Sequence, residues 1–310
     1  MNDGLEGVGM SKEKFMSPDY KPDENTLSEI ENLHKENQSL SNLNLKQADL
    51  TKAQLVNADL SNSDLTRANL SGASMYGVNL EGANLFKTNL EGANLKSANL
   101  KNADMLGADF SGTKLNNIDW GDDCKVINEV EAENAYVSGN YQKSKEKFKE
   151  AEDIYRAIKI SLQSQTLGED VGKFFVREMV VKRKQMPKFS PLRMASKLAQ
   201  LTTGYGEKVG NIFYTVLFVI ISSAFLYGIA GVSYGDNILG FYGDVEAFGG
   251  MINVIGNLFY FSVVVFSTVG FGEIVPINLM GKSVMIIEGI IGGLILSILI
   301  IAVYKQLMDR

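Results

Sequence analysis

Apolar and polar positions follow three different periods along this chain, and each period marks a different kind of structure. From about residue 38 to residue 120 one apolar position recurs every fifth residue. It runs from Leu40, Leu45 and Leu50 through Met75, Met105 and Phe110 to Leu115 and Trp120. Two residues before it stands a small residue, as at Ala48, Ala53, Ala58, Ser63 and Ala68, and Asp or Asn is frequent between them. A period of five fits neither a helix of 3.6 residues per turn nor a strand of period two. It predicts a solenoid whose every side is one pentapeptide, with the apolar and small residues inside.

Those residues closely resemble the pentapeptide-repeat family. The resemblance implies a right-handed quadrilateral β-helix with four repeats per coil. The 17 repeats of residues 38–120 then make about four coils. Such a rod is about 20 Å tall at the strand spacing of a sheet. Some members of that family are acidic mimics of DNA. Here eight acids and seven bases are interspersed over residues 38–120. That balance argues against mimicry of a polyanion and for a scaffold or protein-interaction surface, with no nucleic-acid partner.

Past residue 121 the period becomes helical. Phe148, Ala151, Tyr155, Ile158 and Leu162 mark one helix, and Val171, Phe174, Phe175, Met179 and Val180 a second. Residues 121–188 are expected to form a helical hairpin. It resembles a single tetratricopeptide-like pair, and its expected job is to cap the open end of the coil and pack with neighbouring subunits. Residues 1–25 are polar, with Pro18 and Pro22, and are expected to be disordered. Thr26 and Glu29 form a capping-box pattern that predicts a lid helix over 26–37. Ser190-Pro191 is a helix start, a hydroxyl cap followed by Pro in the first turn. Leu192, Leu198 and Leu201 with Arg193 and Lys197 then make residues 189–208 an interfacial linker helix on a membrane surface, ended by Gly204 and Gly206.

The third pattern is unbroken apolarity. No charge occurs from Gly210 to Gly235, and one, Glu288, occurs from Ser283 to Tyr304. About 20 apolar residues span a bilayer. Two crossings are therefore expected, at 209–232 and 279–304, within a membrane domain of residues 209–310. The segment between them is too short for a third crossing. It is read as a descending helix over 250–267 and an ascending limb over 268–276. Irregular backbone at that depth is tolerated only where it lines a cavity. No Lys or Arg occurs from Val209 to Gly281, whereas Lys182, Arg183, Lys184, Lys188, Arg193, Lys197 and Lys208 precede the first span and Lys305 and Arg310 follow the second. The positive-inside rule puts both termini in the cytoplasm. Asp236, Asp244, Glu246 and Glu273 then face outward, where they could concentrate cations.

The ascending limb carries the chemistry. A cation that sheds water needs several oxygens at once, and backbone carbonyls supply them if successive peptides turn one way. That needs positive φ at alternate residues, which glycine accepts, and Gly270 and Gly272 fit the alternation. Thr268-Val269-Gly270-Phe271-Gly272 resembles the selectivity filter of two-transmembrane prokaryotic-type potassium channels, with Phe in place of Tyr. The resemblance implies K⁺ bound at Thr268, Val269, Gly270 and Phe271, a homotetramer, and a multi-pass protein of the plasma membrane. Tyr260 and Phe261 match the aromatic pair that braces such filters, with Ser267 and Glu273 as further support. Val264 stands where some members carry a carboxylate. Gly292 and Gly293 match the hinge of inner helices, although glycine also marks tight helix packing. Leu296, Ile300 and Val303 follow at helical spacing and could line an apolar inner gate. Glu288 is an intramembrane carboxylate, expected to make a structural hydrogen bond with Ser262 or Ser222.

Composition narrows the function further. The chain has 310 residues, a net charge of −6, one cysteine (Cys124) and one histidine (His34). No intrachain disulfide is possible, and no Cys/His cluster or Ser-His-Asp set points to a metal site or to hydrolysis. The expected fold class is a mixed multi-domain protein: β-helix, α-helical hairpin and α-helical two-transmembrane tetrameric pore. The expected function is passive potassium conduction without catalysis or an organic cofactor. The partners are membrane lipid and further copies of the chain, with a cytoplasmic partner or ligand left open. Two alternatives remain at this point, a non-selective cation channel and a membrane-anchored interaction scaffold.

Overall fold

The computed structural model describes residues 12–165, 168–243 and 245–308. Expectations placed on residues 1–11, Asp244 and Arg310 lie outside them. The chain divides into two compact units, one up to Arg193 and one from Met194 onward.

The first unit is built on the five-residue repeat. Parallel bridges join residues 20 apart, from Asn44 with Asp64 to Asn99 with Asp119. Each turn of the coil therefore takes four pentapeptides. Leu65 donates to the Asn84 carbonyl at 2.8 Å and Asn84 to that of Ser63 at 2.9 Å, and this pattern repeats up the coil. The central residues from Leu40 to Trp120 are all buried. Where the small position holds Ser63, Thr88 or Thr113, the buried hydroxyl donates to the carbonyl of Leu40, Leu65 or Leu90, at 2.7–2.9 Å. Those bonds offset the desolvation of a buried hydroxyl, about 1–3 kcal/mol. The second residue after each central one from Leu40 to Leu115 is left-handed, including Asn42 (φ 61°), Lys52 (φ 60°) and Gly72 (φ 66°). This explains why Gly and Asn recur there.

Both ends of the coil are covered, and both covers differ from expectation. Residues 12–25 are ordered, not disordered. Helix α1 (Glu13–Met16) buries Phe15 completely, edge-on to Tyr20 with ring centroids 4.8 Å apart. The Phe15 carbonyl accepts the Asn44 N–H at 2.7 Å. An uncovered coil would present Leu40 and Leu43 to water, and Phe15 removes that cost. Helix α2 (Thr26–Lys35) adds Ile30 and Leu33, ending two residues short of the expected 37. The capping box does not form. Thr26 lies inside the helix and its hydroxyl accepts the Asp23 N–H at 2.8 Å, while Glu29 pairs with Lys14.

At the other end stand three helices instead of a hairpin: α3 (Ile127–Val137), α4 (Tyr141–Ser164) and α5 (Gly168–Lys184). Phe148, Tyr155 and Phe174 share one core with Trp120, whose ring meets Phe174 edge-on at 4.9 Å. Ser161 of α4 donates to the Phe110 carbonyl at 2.8 Å. The extra helix, α3, buries Asn128, Glu129, Ala132 and Ala135. Glu129 is fully buried and accepts from the Tyr155 hydroxyl at 2.6 Å and from Lys184 at 2.9 Å.

Helix α6 (Pro191–Thr203) begins at the boundary, and the second unit holds the rest of it with α7 (Val209–Ala230), α8 (Met251–Phe266) and α9 (Leu279–Met308). Helices α7 and α9 are long and apolar enough to cross a membrane. Helix α6 exposes Leu192, Met194, Leu198 and Leu201, and ends in a turn with left-handed backbone at Gly204, Tyr205 and Gly206. A small antiparallel sheet in the order β2-β1-β3 joins β1 (Val232–Tyr234), β2 (Asn237–Leu239) and β3 (Ile274–Pro276). It ties the end of α7 to the limb after α8, with Val232 opposite both Leu239 and Pro276. Strand β1 ends the first span at Ala230, short of 232, and α9 runs past 304 to Met308. Helix α8 begins after Gly250, whose φ of 111° keeps it out of the helix, and ends before Ser267.

Candidate functional site

The site grows out of the end of α8. The N–H groups of Ser267 and Thr268 donate to the carbonyls of Val263 and Val265 at 2.9 Å, and that of Val269 to Val264 at 3.2 Å. Gly270 N–H turns to the same Val264 oxygen at 3.5 Å. The first three residues of the limb thus hang from the helix by their N–H groups. Backbone φ is 59° at Thr268, 59° at Gly270 and 81° at Gly272, with no positive value between them. Reversal of hand at every second residue is the backbone pattern that lets successive carbonyls face one side. A β-branched residue in the left-handed region is rare, and such strain gathers at functional sites. Sequence reasoning placed the alternation at the two glycines and missed Thr268, one step earlier in the same rhythm.

Space around the limb is open. A Cβ at Gly270 or Gly272 would meet nothing within 4 Å. Glycine is favoured there by the sign of φ, not by crowding within one chain. Val269 is 56% and Phe271 68% exposed. The carbonyl end of α8 carries the negative pole of its dipole toward this region.

The supporting residues separate into distinct roles. Tyr260 donates its hydroxyl to the Glu273 carboxylate, which ties α8 to the far end of the limb. Phe261 packs on Tyr227 of α7, ring centroids 4.6 Å apart. Ser267 donates to Val264 of its own helix at 3.2 Å and stays there. Behind the limb a cavity of about 80 Å³ is lined by Tyr260, Phe261, Val264, Phe271 and Met285, among others. Glu288 is 1% exposed and is bonded to Ser262 of α8, with the Tyr227 hydroxyl donating to it at 2.7 Å. Ser222 does not take part, because its hydroxyl bonds to the Phe218 carbonyl one turn back. Tyr227 was missed because its partnership depends on how α7 packs on α9.

Helix α9 runs unbroken through Gly292 and Gly293. A Cβ on Gly292 would lie 2.2 Å from the Phe266 carbonyl oxygen, whereas Gly293 faces open space. Gly292 therefore lets α9 approach the end of α8 closely. Leu296 is half-buried beside α7 and Ile300 is exposed. Asp236 and Glu246 are exposed. Among the described residues no group of three or more His, Cys, Asp or Glu side chains could hold a metal ion.

Comparison with known proteins bears on both units. The family described as pentapeptide repeats matches residues 36–67, 44–82 and 79–117, and the family described as ion channel matches residues 214–309. A pentapeptide repeat protein from the cyanobacterium Cyanothece 51142 is 44% identical over 26% of this chain and 55% of its own, with a TM-score of 0.26. Another, from Nostoc Pcc 7120, is 34% identical over 29% of this chain and 73% of its own, TM-score 0.22. A third, from the Arabidopsis thaliana thylakoid lumen, is 32% identical over 24% and 48%, TM-score 0.15. The chain spans about half the length of the first of these relatives. No curated protein matches the chain.

Proposed function

We propose that this chain, a membrane protein joining pentapeptide repeats to an ion-channel domain of the two-transmembrane type, conducts potassium ions selectively. Four copies assemble round one axis, and each contributes the strip Thr268 to Gly272. Carbonyls of Thr268, Val269, Gly270 and Phe271, with the Thr268 hydroxyl, replace the water of a passing K⁺. Selectivity then follows from the number and field of those oxygens. The observation that carries the reading is the alternating φ at Thr268, Gly270 and Gly272 on a limb whose first three N–H groups are tied back to α8.

The repeat coil is a right-handed quadrilateral β-helix on the cytoplasmic side, where both termini lie, and it serves as scaffold or regulator. The exposed apolar face of α6, with Arg193 and Lys197, rests on the inner surface of the plasma membrane. A second reading, a non-selective cation channel, is favoured by Phe271, which lacks the phenolic hydroxyl that would brace the limb from behind. Flux from proteoliposomes under opposed K⁺ and Na⁺ gradients separates the two. Potassium efflux that sodium cannot replace supports selectivity, and equal permeability rejects it.

A further inference from the structure

Glu288 is the only charge-bearing side chain between Ser283 and Tyr304, and it is buried at the meeting of three helices. One carboxyl oxygen accepts the Tyr227 hydroxyl of α7 at 2.7 Å. The other is hydrogen-bonded to Ser262 Oγ of α8. Ser262 is fully buried, and its Oγ also lies 2.9 Å from the Ile220 carbonyl oxygen of α7.

Counting protons decides how these bonds run. A backbone carbonyl only accepts, and a serine hydroxyl has one proton to give. If Ser262 donates to Ile220, its contact with Glu288 is a hydrogen bond only when the carboxyl brings a proton. The complete chain is then Glu288 O–H to Ser262 Oγ, Ser262 O–H to Ile220, and Tyr227 O–H to the second carboxyl oxygen. Ser223 brings one more hydroxyl to the carboxyl, which either form of the acid accommodates. An ionised Glu288 would need a cation, and no Lys or Arg occurs from Val209 to Gly281. Lys282 is exposed and stands six residues earlier on α9, about 9 Å along the helix. A lone carboxylate in that setting is strongly unfavourable.

We propose that Glu288 is a neutral carboxylic acid and a positioning residue that joins α7 and α9 to α8 and so holds the limb Thr268–Gly272. Its consequence for conduction rests on the channel reading; its protonation and its hold on α8 do not. The test compares the full-length protein in lipid vesicles with Glu288→Gln and Glu288→Ala. Infrared difference spectra read the carboxyl, and amide hydrogen exchange reads α8 and the limb.

The expected spectrum of the unaltered protein contains the C=O stretch of a protonated acid, which Glu288→Gln removes. Gln keeps a donor and an acceptor in the same places, so exchange in α8 stays as in the unaltered protein. Ala leaves the Tyr227 hydroxyl without its acceptor and Ser262 Oγ without the proton it accepts from the acid, and exchange rises roughly 5- to 100-fold. Loss of an ionised carboxylate band in Glu288→Gln would overturn the neutral acid. Equal acceleration in the Gln and Ala variants, or none in Ala, would overturn the positioning role. Neither readout uses ion flux, so an unaltered protein without flux counts against the channel reading alone.

Discussion

The repeat coil and the limb after α8 both depend on left-handed backbone, yet they use it in opposite ways. In the coil the left-handed residue turns each corner, and Lys52, Arg67 and Lys87 occupy that position as well as glycine. The coil's donors and acceptors meet those of the next turn, 20 residues away in the same chain. In the limb the left-handed residues alternate along one segment, and Val269 and Phe271 stand exposed. One region is complete within a single chain. On the proposed channel reading, the other is a fragment of a site that several copies close. A sequence change in the coil therefore costs stability, whereas one in the limb costs function.

The sharpest way to break that contrast is one substitution at two places. Gly270→Ala puts a Cβ on a backbone at φ 59°, in the limb whose carbonyls are proposed to line the ion path. Ion flux should fall to background. Gly72→Ala puts a Cβ at φ 66°, where the nearest atom is the Lys52 Cγ at 3.4 Å. That change should cost about 1 kcal/mol or less and leave flux intact. Equal loss of flux in both variants would refute the division of roles.

Next in size is Leu70→Ala. Leu70 is fully buried in the coil, and such a truncation costs about 2–5 kcal/mol. Hydrogen exchange in the full chain should accelerate across the neighbouring turns and leave α7–α9 unchanged. Spread of the effect into the membrane helices would contradict the independence of the two units. Gly292→Ala tests the other unit in the same way. Its Cβ would collide with the Phe266 carbonyl, and overpacking of this kind costs about 1–3 kcal/mol. The change should lower the thermal midpoint of the membrane domain and reduce flux. A hinge without packing would leave that midpoint unchanged.

How much of each region was legible follows the same division. The coil's register and inner residues were readable because a period of five belongs to no helix or strand. Its ends were not. Phe15 lies in a four-residue helix with no period to detect, and α3 buries Asn128 and Glu129 where an apolar stripe would have been sought. The three strands of the second unit have three residues each, too few to show alternation. The limb's motif was legible as a string, and two of its three left-handed residues followed from glycine. Thr268 did not, because nothing local demands positive φ of a threonine. The bonds of Tyr260 to Glu273 and of Tyr227 to Glu288 depend on tertiary packing that no spacing encodes.

The smallest expected effect is that of acid on the coil. Bonds from the Thr51 hydroxyl and N–H hold Asp49 below the usual carboxylate range, and Ser111 does the same for Asp109. The Gly121 N–H lowers Asp119. Because their folded values are depressed, these groups stabilise the coil above the ordinary aspartate value of about 3.9. That contribution is lost as pH falls through the lower folded values. The groups are largely exposed, so the loss should be small. Exchange protection in the coil should decline modestly below about pH 4, and a gain on acidification would reverse the sign of the account.

The central claim is that exposed carbonyls of Thr268 to Phe271, closed into a ring, select potassium. The direct measurement is the reversal potential of the full-length protein in a planar bilayer with K⁺ on one side and Na⁺ on the other. The account predicts a reversal potential displaced far toward the potassium equilibrium value, and its disappearance together with the current in Gly270→Ala. A current that reverses at zero would contradict it.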